Sequence, residues 1–484
     1  MKQMILKAMD LMMADYYGEP PATFTVARNK RFSSVCLRAL CAALILLGCS
    51  FVTPQALAAP QVLTLDDCLR IAAEKNRDIQ KAREYAAYVQ GRYVEERAAA
   101  LPQLALNGGF GYARDESSRQ MYGGKAPLQS SRSVDLTLGQ PLFTWGKIGA
   151  AIRAAEVGLK TADEQLRLYR QGALRDVSVA FYDLLLAREL HRLAEENLAQ
   201  KKRHQEEARR KFATGVATDY DVLAADVEVE NAAPDLIRAA NTVRTGLDRL
   251  RFLLALDEED VDVAGSLAAE PVSAPAFEEA RAQALEKRPE LGDQRLRIGI
   301  YGELVTIAEA ENKPRLDLKG AAGWHQQELR DMTPSGRSEG LAWSAGVYLS
   351  FPFFDGLKSS GRTAQARSDL RTKQIEELKL RDSIALDVRT ARNALVEAAD
   401  VMQAVKSTVR QAQRLLQMAE KGFEYGVKTR LEVDDAQTSL LRAQTNLARA
   451  SRDYHAARTN LQWSMGVLGE EAVQGVSVAI SQKP

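Results

Sequence analysis

This sequence is short of cysteine, aromatic residues and net charge, and each shortage removes a class of protein. Of the 484 residues four are cysteine, and three of these (Cys36, Cys41, Cys49) fall before residue 59. If the chain is cut near Ala58, Cys68 is the only thiol left and no internal disulfide can form. Aromatics make up 6% against 46% apolar residues, so the apolar share leans on Ala and Leu. That bias favours long, closely packed helices over an aromatic-rich core. Lys plus Arg number 65 and Asp plus Glu 64, a net charge of +1, which argues against the basic face of a nucleic-acid binder.

Catalytic and metal-binding sets are missing too. His191, His204, His325 and His455 are isolated, with none at the i, i+3 or i, i+4 spacing of a helical metal-ligand pair. Lone helix histidines of this kind are expected at the surface. Gly146-Lys147 is not a phosphate loop, because Pro141 stands where its first glycine belongs and Ile148 where its hydroxyl residue belongs. No nucleophile, acid–base pair, metal site or cofactor motif emerges, so an enzyme is not expected.

What is present begins with an address. Arg28, Lys30, Arg31 and Arg38 precede the apolar run Ala39 to Leu47, and Ala56-Leu57-Ala58 supplies small residues for signal peptidase. The run is too short to span a bilayer as a permanent helix. Residues 1–58 therefore read as an N-terminal extension and signal peptide, with the true start nearer Val26. Leu46-Leu47-Gly48-Cys49 resembles a lipoprotein cleavage box, although Leu47 fits poorly where a small residue is usual. Lipid attachment at Cys49 and cleavage near Ala58 both stay open.

The rest of the chain is written twice. Phe212, Gly215-Val216-Ala217-Thr218 and Val222 recur as Phe423, Gly426-Val427-Lys428-Thr429 and Val433, an offset of 211 residues that also separates Pro141 from Pro352. Pro102 and Pro314, like Glu74 and Glu286, are 212 apart. Four separated landmarks, with a drift of one residue, mark a duplication. The halves span residues 59–270 and 271–468, with a tail at 469–484.

Each half opens with a helix, then carries two segments of alternating character. Leu104, Leu106, Phe110 and Tyr112 oppose Ala105, Asn107, Gly109 and Gly111, while Val134, Leu136, Leu138 and Leu142 oppose Asp135, Thr137 and Gly139. The second half follows with Leu316, Leu318, Ala322 and Trp324, then Trp343, Val347, Leu349, Phe351 and Phe353. Strands are expected at about 103–113, 132–143, 315–325 and 341–353. A soluble sheet with one face on a core would alternate in this way. So would an outer-membrane barrel, whose apolar face meets lipid. The export signal, the strand length of about ten residues and the polar linkers Asp115–Ser131 and Gln327–Gly340 favour the barrel. Four strands cannot close one, and an open edge in lipid would leave backbone groups unpaired. Other copies of the chain must supply the missing strands: two copies give eight, with an interior filled by side chains, and three give twelve, wide enough for a passage, so a conducting oligomer suggests a trimer.

Between the second strand and the glycine turn of each half, no proline interrupts the helical pattern from Trp145 to Ala213 or from Lys358 to Glu424. Such a stretch makes a rod of roughly 100 Å. The return segments Thr218–Leu254 and Thr429–Met465, with the entry helices Thr64–Ala100 and Phe277–Asn312, run roughly 55 Å each on the same rise. Placed end to end, two short helices match one long one. Pro234 is expected to interrupt the first return helix and bend it. The mixed charge run Lys201–Lys211 reads as a solvated helix face. Tip turns fall at about 214–217 and 425–428, where Gly215 and Gly426 reverse the chain.

With these residues in place, the chain resembles the TolC-like outer membrane factors from Leu63 to Leu468. The likeness is carried by Leu63-Thr-Leu-Asp-Asp, the duplication, and the tip motifs Lys211-Phe-Ala-Thr-Gly-Val and Gly422-Phe-Glu-Tyr-Gly-Val. It implies an α+β membrane protein built from a duplicated strand-strand-helix-helix unit. Three chains would form a trimeric 12-stranded β-barrel continued by a long α-helical coiled-coil periplasmic tunnel. It implies a passive exit duct of a tripartite efflux pump or type I secretion system, working with a periplasmic adaptor and an inner-membrane pump. The usual Asn-Pro dipeptide of the entry helices is split here into Asn76-Arg77 and Arg288-Pro289, read as divergence without functional consequence.

The resemblance also assigns site residues. Glu432 and Asp435 match acids that ring the periplasmic constriction, where crowding would raise some carboxyl pKa values and make closure depend on pH. Asp221, Lys428 and Phe423 match a closed-state latch, with Lys and Phe standing for an Arg and a Tyr that make more contacts. Gly215, Val216, Gly426 and Val427 form the turns on which an adaptor would dock. A periplasmic coiled-coil scaffold or adaptor without a pore is the alternative, but it leaves the four alternating segments unexplained.

Overall fold

Stretches of alternation become strands when their backbone groups find partners, and here each half contributes a hairpin of strands 12 to 16 residues long. The computed structural model describes residues 61–256, 261–330 and 336–469. The signal segment, Cys49, the Ala56–Ala58 site and the tail from residue 470 lie outside the described residues. In chain order the elements are β1 (Gln61–Leu63), α1 (Leu65–Lys75), α2 (Arg77–Ala98), β2 (Gln103–Arg114), a short 3₁₀ turn (Glu116–Gln120) and β3 (Leu128–Phe143). Then follow α3 (Lys147–Ala213), α4 (Asp219–Leu254) and β4 (Val261–Val263). The second half holds α5 (Phe277–Lys287), α6 (Pro289–Glu309), β5 (Arg315–Leu329), β6 (Arg337–Ser350), α7 (Lys358–Glu424) and α8 (Arg430–Ser464).

The two hairpins merge into one antiparallel sheet of order β2-β3-β5-β6. Its register puts Leu106 beside Leu136, Leu136 beside Ala322, and Ala322 beside Trp343. The rows on either side carry Leu104–Leu138 and Val134–Trp324–Leu341, and lower rows carry Leu318–Val347 and Leu316–Leu349. All four apolar sets thus share one face, and nothing among the described residues covers it: Leu106, Leu341 and Trp343 are 73%, 87% and 81% exposed. The other face carries Asn107, Asp135, Thr137, Lys319 and His325. Among the described residues β2 and β6 each have one unpaired edge.

The strands run beyond the expected limits, to Leu329 in β5 and from Leu128 and Arg337 in β3 and β6, while β6 ends at Ser350, before Phe351 and Phe353. The end of the linker Asp115–Ser131, from Leu128, and both ends of Gln327–Gly340 are therefore paired strand. Polar residues hide a strand from a hydropathy pattern, but their backbone groups still demand partners.

The helical rods match the expected lengths: α3 and α7 have 67 residues each. No described helix is long and apolar enough to cross a membrane. Small side chains pack the hairpins, as with Ala180 and Ala72 in one cluster and Ala280, Ala284 and Ala457 in its second-half counterpart. The first cluster is closed by the parallel pairing of β1 with β4, which sets Leu63 against Val261 and Val263. Cys68 is buried there, and burial pushes its thiol up to about 12, which leaves it inert.

Two helix expectations need correction. Each entry helix is broken in two. The Asn76 carboxamide oxygen accepts from the N–H groups of Asp78 and Ile79, capping α2, and its NH₂ donates to the Leu253 carbonyl at 2.8 Å. At the matching break Pro289 opens α6, while buried Arg288 pairs with Glu290 and Asp387 and lies over the Trp463 ring. The split dipeptide keeps both breaks by different means. Pro234, by contrast, does not interrupt α4, which runs through it from Asp219 to Leu254.

Candidate functional site

The two tips repeat one local design. Gly215 and Gly426 sit at φ +76° and +74°, a backbone region that costs other residues steric strain. The Val216 N–H donates to the Lys211 carbonyl, and the Val427 N–H to the Gly422 carbonyl, closing each long helix. Three residues past each glycine a threonine starts the return helix. Thr218 accepts from the Asp221 N–H while the Asp221 carboxylate accepts from the Thr218 N–H at 2.8 Å. Thr429 and Glu432 do the same, also at 2.8 Å. Thr-x-x-Asp and Thr-x-x-Glu in the sequence carried this signal, and it is the primary local task of Asp221 and Glu432. Val216 and Val427 are exposed at the turns, as are Tyr220 and Tyr425.

The tips differ in what surrounds these caps. In the second, the Lys428 ammonium donates to Glu432 at 2.5 Å. Its stem lies across Gly422, where a Cβ would come within 2.5 Å of Lys428 Cγ. In the first tip the equivalent pair is Lys211 and Ala217: bulk has moved from one member to the other. The Lys428 hydrogen bond, then the Thr429 N–H, hold the Glu432 carboxyl below its ordinary range. Within one chain the pKa shift is thus opposite to the expected rise, because a cation and a helix start face Glu432. The Thr218 N–H and hydroxyl likewise lower Asp221. Asp435 is exposed, with no ion pair among the described residues.

Within the chain the structure does not bring Asp221 to Lys428. Phe423 packs beside Ala419, Val433 and Ala436, with Lys211 and Arg430 over its ring at 5.2 and 6.0 Å. It thereby joins the end of α3 to the second hairpin. Further up, Asp434 faces Arg430 at 3.3 Å, His204 at 3.7 Å and Lys201 at 3.8 Å, and Lys201 also reaches Glu228 at 3.0 Å. Part of the Lys201–Lys211 run is therefore a half-buried seam between the halves, not a solvated face. Hydropathy gives no sign of it, because the partner lies more than two hundred residues away.

One further histidine departs from a surface role, whereas His325 stays exposed. His455 on α8 stacks on Tyr182 of α3 at 4.3 Å, and burial lowers its pKa. On the polar face of the sheet His325 Nε2 lies 2.6 Å from Asp135 Oδ1, with Gly323 leaving room for that carboxylate. Among the described residues no cluster of His, Cys, Asp or Glu fits a metal ion.

The model of a family described as outer membrane efflux protein matches residues 68–256 and 280–467, one segment in each repeat. The outer membrane protein TolC of Vibrio cholerae is 24% identical over 398 residues, 80% of this chain and 87% of its own. The alkaline protease secretion protein AprF of Pseudomonas aeruginosa is 27% identical over 86% of this chain and 87% of its own. The cobalt-zinc-cadmium resistance protein CzcC of Cupriavidus metallidurans is 26% identical over 84% and 91%. Among solved structures, the Campylobacter jejuni CmeC outer membrane channel superposes with a TM-score of 0.73 at 16% identity, covering 85% of this chain and 88% of its own.

Proposed function

Because this chain belongs to the outer membrane efflux protein family, we infer a passive exit duct closed by three copies. It is an outer-membrane protein that carries cargo of an efflux or type I secretion system outward, with its helices in the periplasm. The observation that carries the three-copy reading is the sheet: four strands, one uncovered apolar face and two unpaired edges. Edges in lipid need partners, and only copies of the same chain present the matching strand ends. Twelve strands then surround a passage lined by the Asn107–Asp135–His325 face. A pore-free periplasmic scaffold would leave that apolar face in water.

At the far end the tips meet around the axis. We propose that Asp435 supplies the negative ring of the constriction, joined by Glu432 when the latch draws Lys428 away from it. Asp221, Lys428 and Phe423 form the latch between neighbouring helices, and Lys428 must leave Glu432 to reach Asp221. A periplasmic adaptor docks on the turns at Gly215-Val216 and Gly426-Val427, and an inner-membrane pump supplies energy and cargo. Heat-modifiable migration with outer-membrane co-fractionation tests the duct, alongside adaptor crosslinking at residues 216 and 427. A chain recovered only from the soluble periplasm overturns it.

A further inference from the structure

The outward face of the sheet changes character within one row. Above Val134–Trp324–Leu341 the register sets Phe110 beside Arg132, Arg132 beside Gln326, and Gln326 beside Glu339. The next row holds Tyr112, Ser130, Glu328 and Arg337, and beyond it lie Arg114 and Arg330. On this rim four arginines face two glutamates. Arg337 pairs with Glu339 at 2.7 Å, and Arg330 stands 3.6 Å from Glu328. Arg132 is exposed and has no ion pair among the described residues.

Two of these arginines lie over a pair of aromatic rings. Phe110 and Tyr112 pack edge to face with centroids 5.1 Å apart. The Arg132 guanidinium lies 5.6 Å over the Phe110 ring and that of Arg330 5.5 Å over Tyr112. Between them Ser130 and Gln326 are 3% and 6% exposed. Two guanidinium groups are thus held over neighbouring rings at the upper edge of the apolar band, at the end of the sheet away from the helices.

We propose that the Phe110–Tyr112–Arg132–Arg330 platform binds a phosphate of lipid A, the phosphorylated glycolipid of the outer leaflet, with acyl chains lying on the apolar rows below. This rests on the barrel reading, which makes the face outward. Guanidinium forks match phosphate oxygens in paired hydrogen bonds. The platform is continuous with the lipid-facing band, so one molecule can satisfy headgroup and tail together, which a free phosphate ion cannot.

The test uses the full-length protein purified from outer membranes, with native mass spectrometry counting lipid A retained in phosphatidylcholine nanodiscs. The parent is expected to hold diphosphoryl lipid A in preference to a dephosphorylated form, and millimolar inorganic phosphate should not displace it. Arg132→Gln/Arg330→Gln should weaken retention about tenfold or more, the scale of a charge-assisted pair. Equal retention by parent and variant, both forming heat-modifiable barrels, overturns this inference alone. Displacement by inorganic phosphate also overturns it, as a site for the free ion. If the variant does not assemble, the parent's preference between the two lipid A forms decides. A parent that forms no barrel overturns both the duct architecture and this site.

Discussion

Adjacent residues of β2 should respond in opposite ways to the same charge. Leu106 lies on the apolar face, one row from the middle of five apolar rows, and Asn107 lies on the polar face, where its NH₂ donates to Thr137 Oγ1 at 3.2 Å. At about 6.7 Å per row and a tilt near 40°, those rows span roughly 20 Å of bilayer. An arginine at the midplane of a barrel's lipid face costs about 2–4 kcal/mol, falling toward zero at the interfaces. Leu106→Arg should then cost about 2 kcal/mol per copy, roughly thirtyfold in the folding equilibrium. Asn107→Arg points into a wet lumen beside Asp135 and should be near neutral. Heat-modifiable trimer in outer-membrane fractions measures both, with denaturant midpoints in micelles giving the size of each change. Equal yields from the two variants, or a greater loss for Asn107→Arg, would refute the assignment of faces.

Three further outcomes follow from the tips and the seam. In planar bilayers, with the latch removed by Asp221→Ala, Asp435→Asn should lower cation selectivity more than Glu432→Gln, because Lys428 then balances Glu432; a larger effect of Glu432→Gln would contradict this. Gly422→Ala should drive Lys428 off Glu432, so the Glu432 carboxyl, followed by NMR, should titrate at higher pH than in the parent. An unchanged titration would show that the Lys428 stem does not need Gly422. His455 is held below its ordinary pKa by burial, so the unfolded chain takes up its proton first. Its contribution is complete above about pH 6.5 and is lost as the pH falls below that value. A His455→Gln variant should therefore show a flatter decline in thermal stability between about pH 7 and 5; a parallel decline would place the acid sensitivity elsewhere.

Much of this architecture was legible because it rests on period and repetition. Alternation located all four strands, and the register shows that the four apolar sets share one face. The glycines gave both tip turns, since no other residue adopts their backbone so readily. Helix breaks were less legible: Asn76 reads as one more helical residue until its carboxamide is seen capping α2. At the tips the residue types were visible but their partners were not. Lys428 lies within one turn of Glu432 and packs over Gly422, contacts that depend on how a glycine turn folds the chain back. Lys201, His204 and Asp434 meet only because the two halves pack together, and no local pattern encodes a contact of that span.

The unpaired edges of β2 and β6 bear on inheritance as much as on architecture. If three copies close the barrel, every subunit is a neighbour on both sides, and one faulty edge spoils the whole ring. In a cell making sound and defective chains together, intact ducts would fall as the cube of the sound fraction. Mutations that disable an edge should therefore be dominant, while those that only weaken a tip should be diluted by healthy partners.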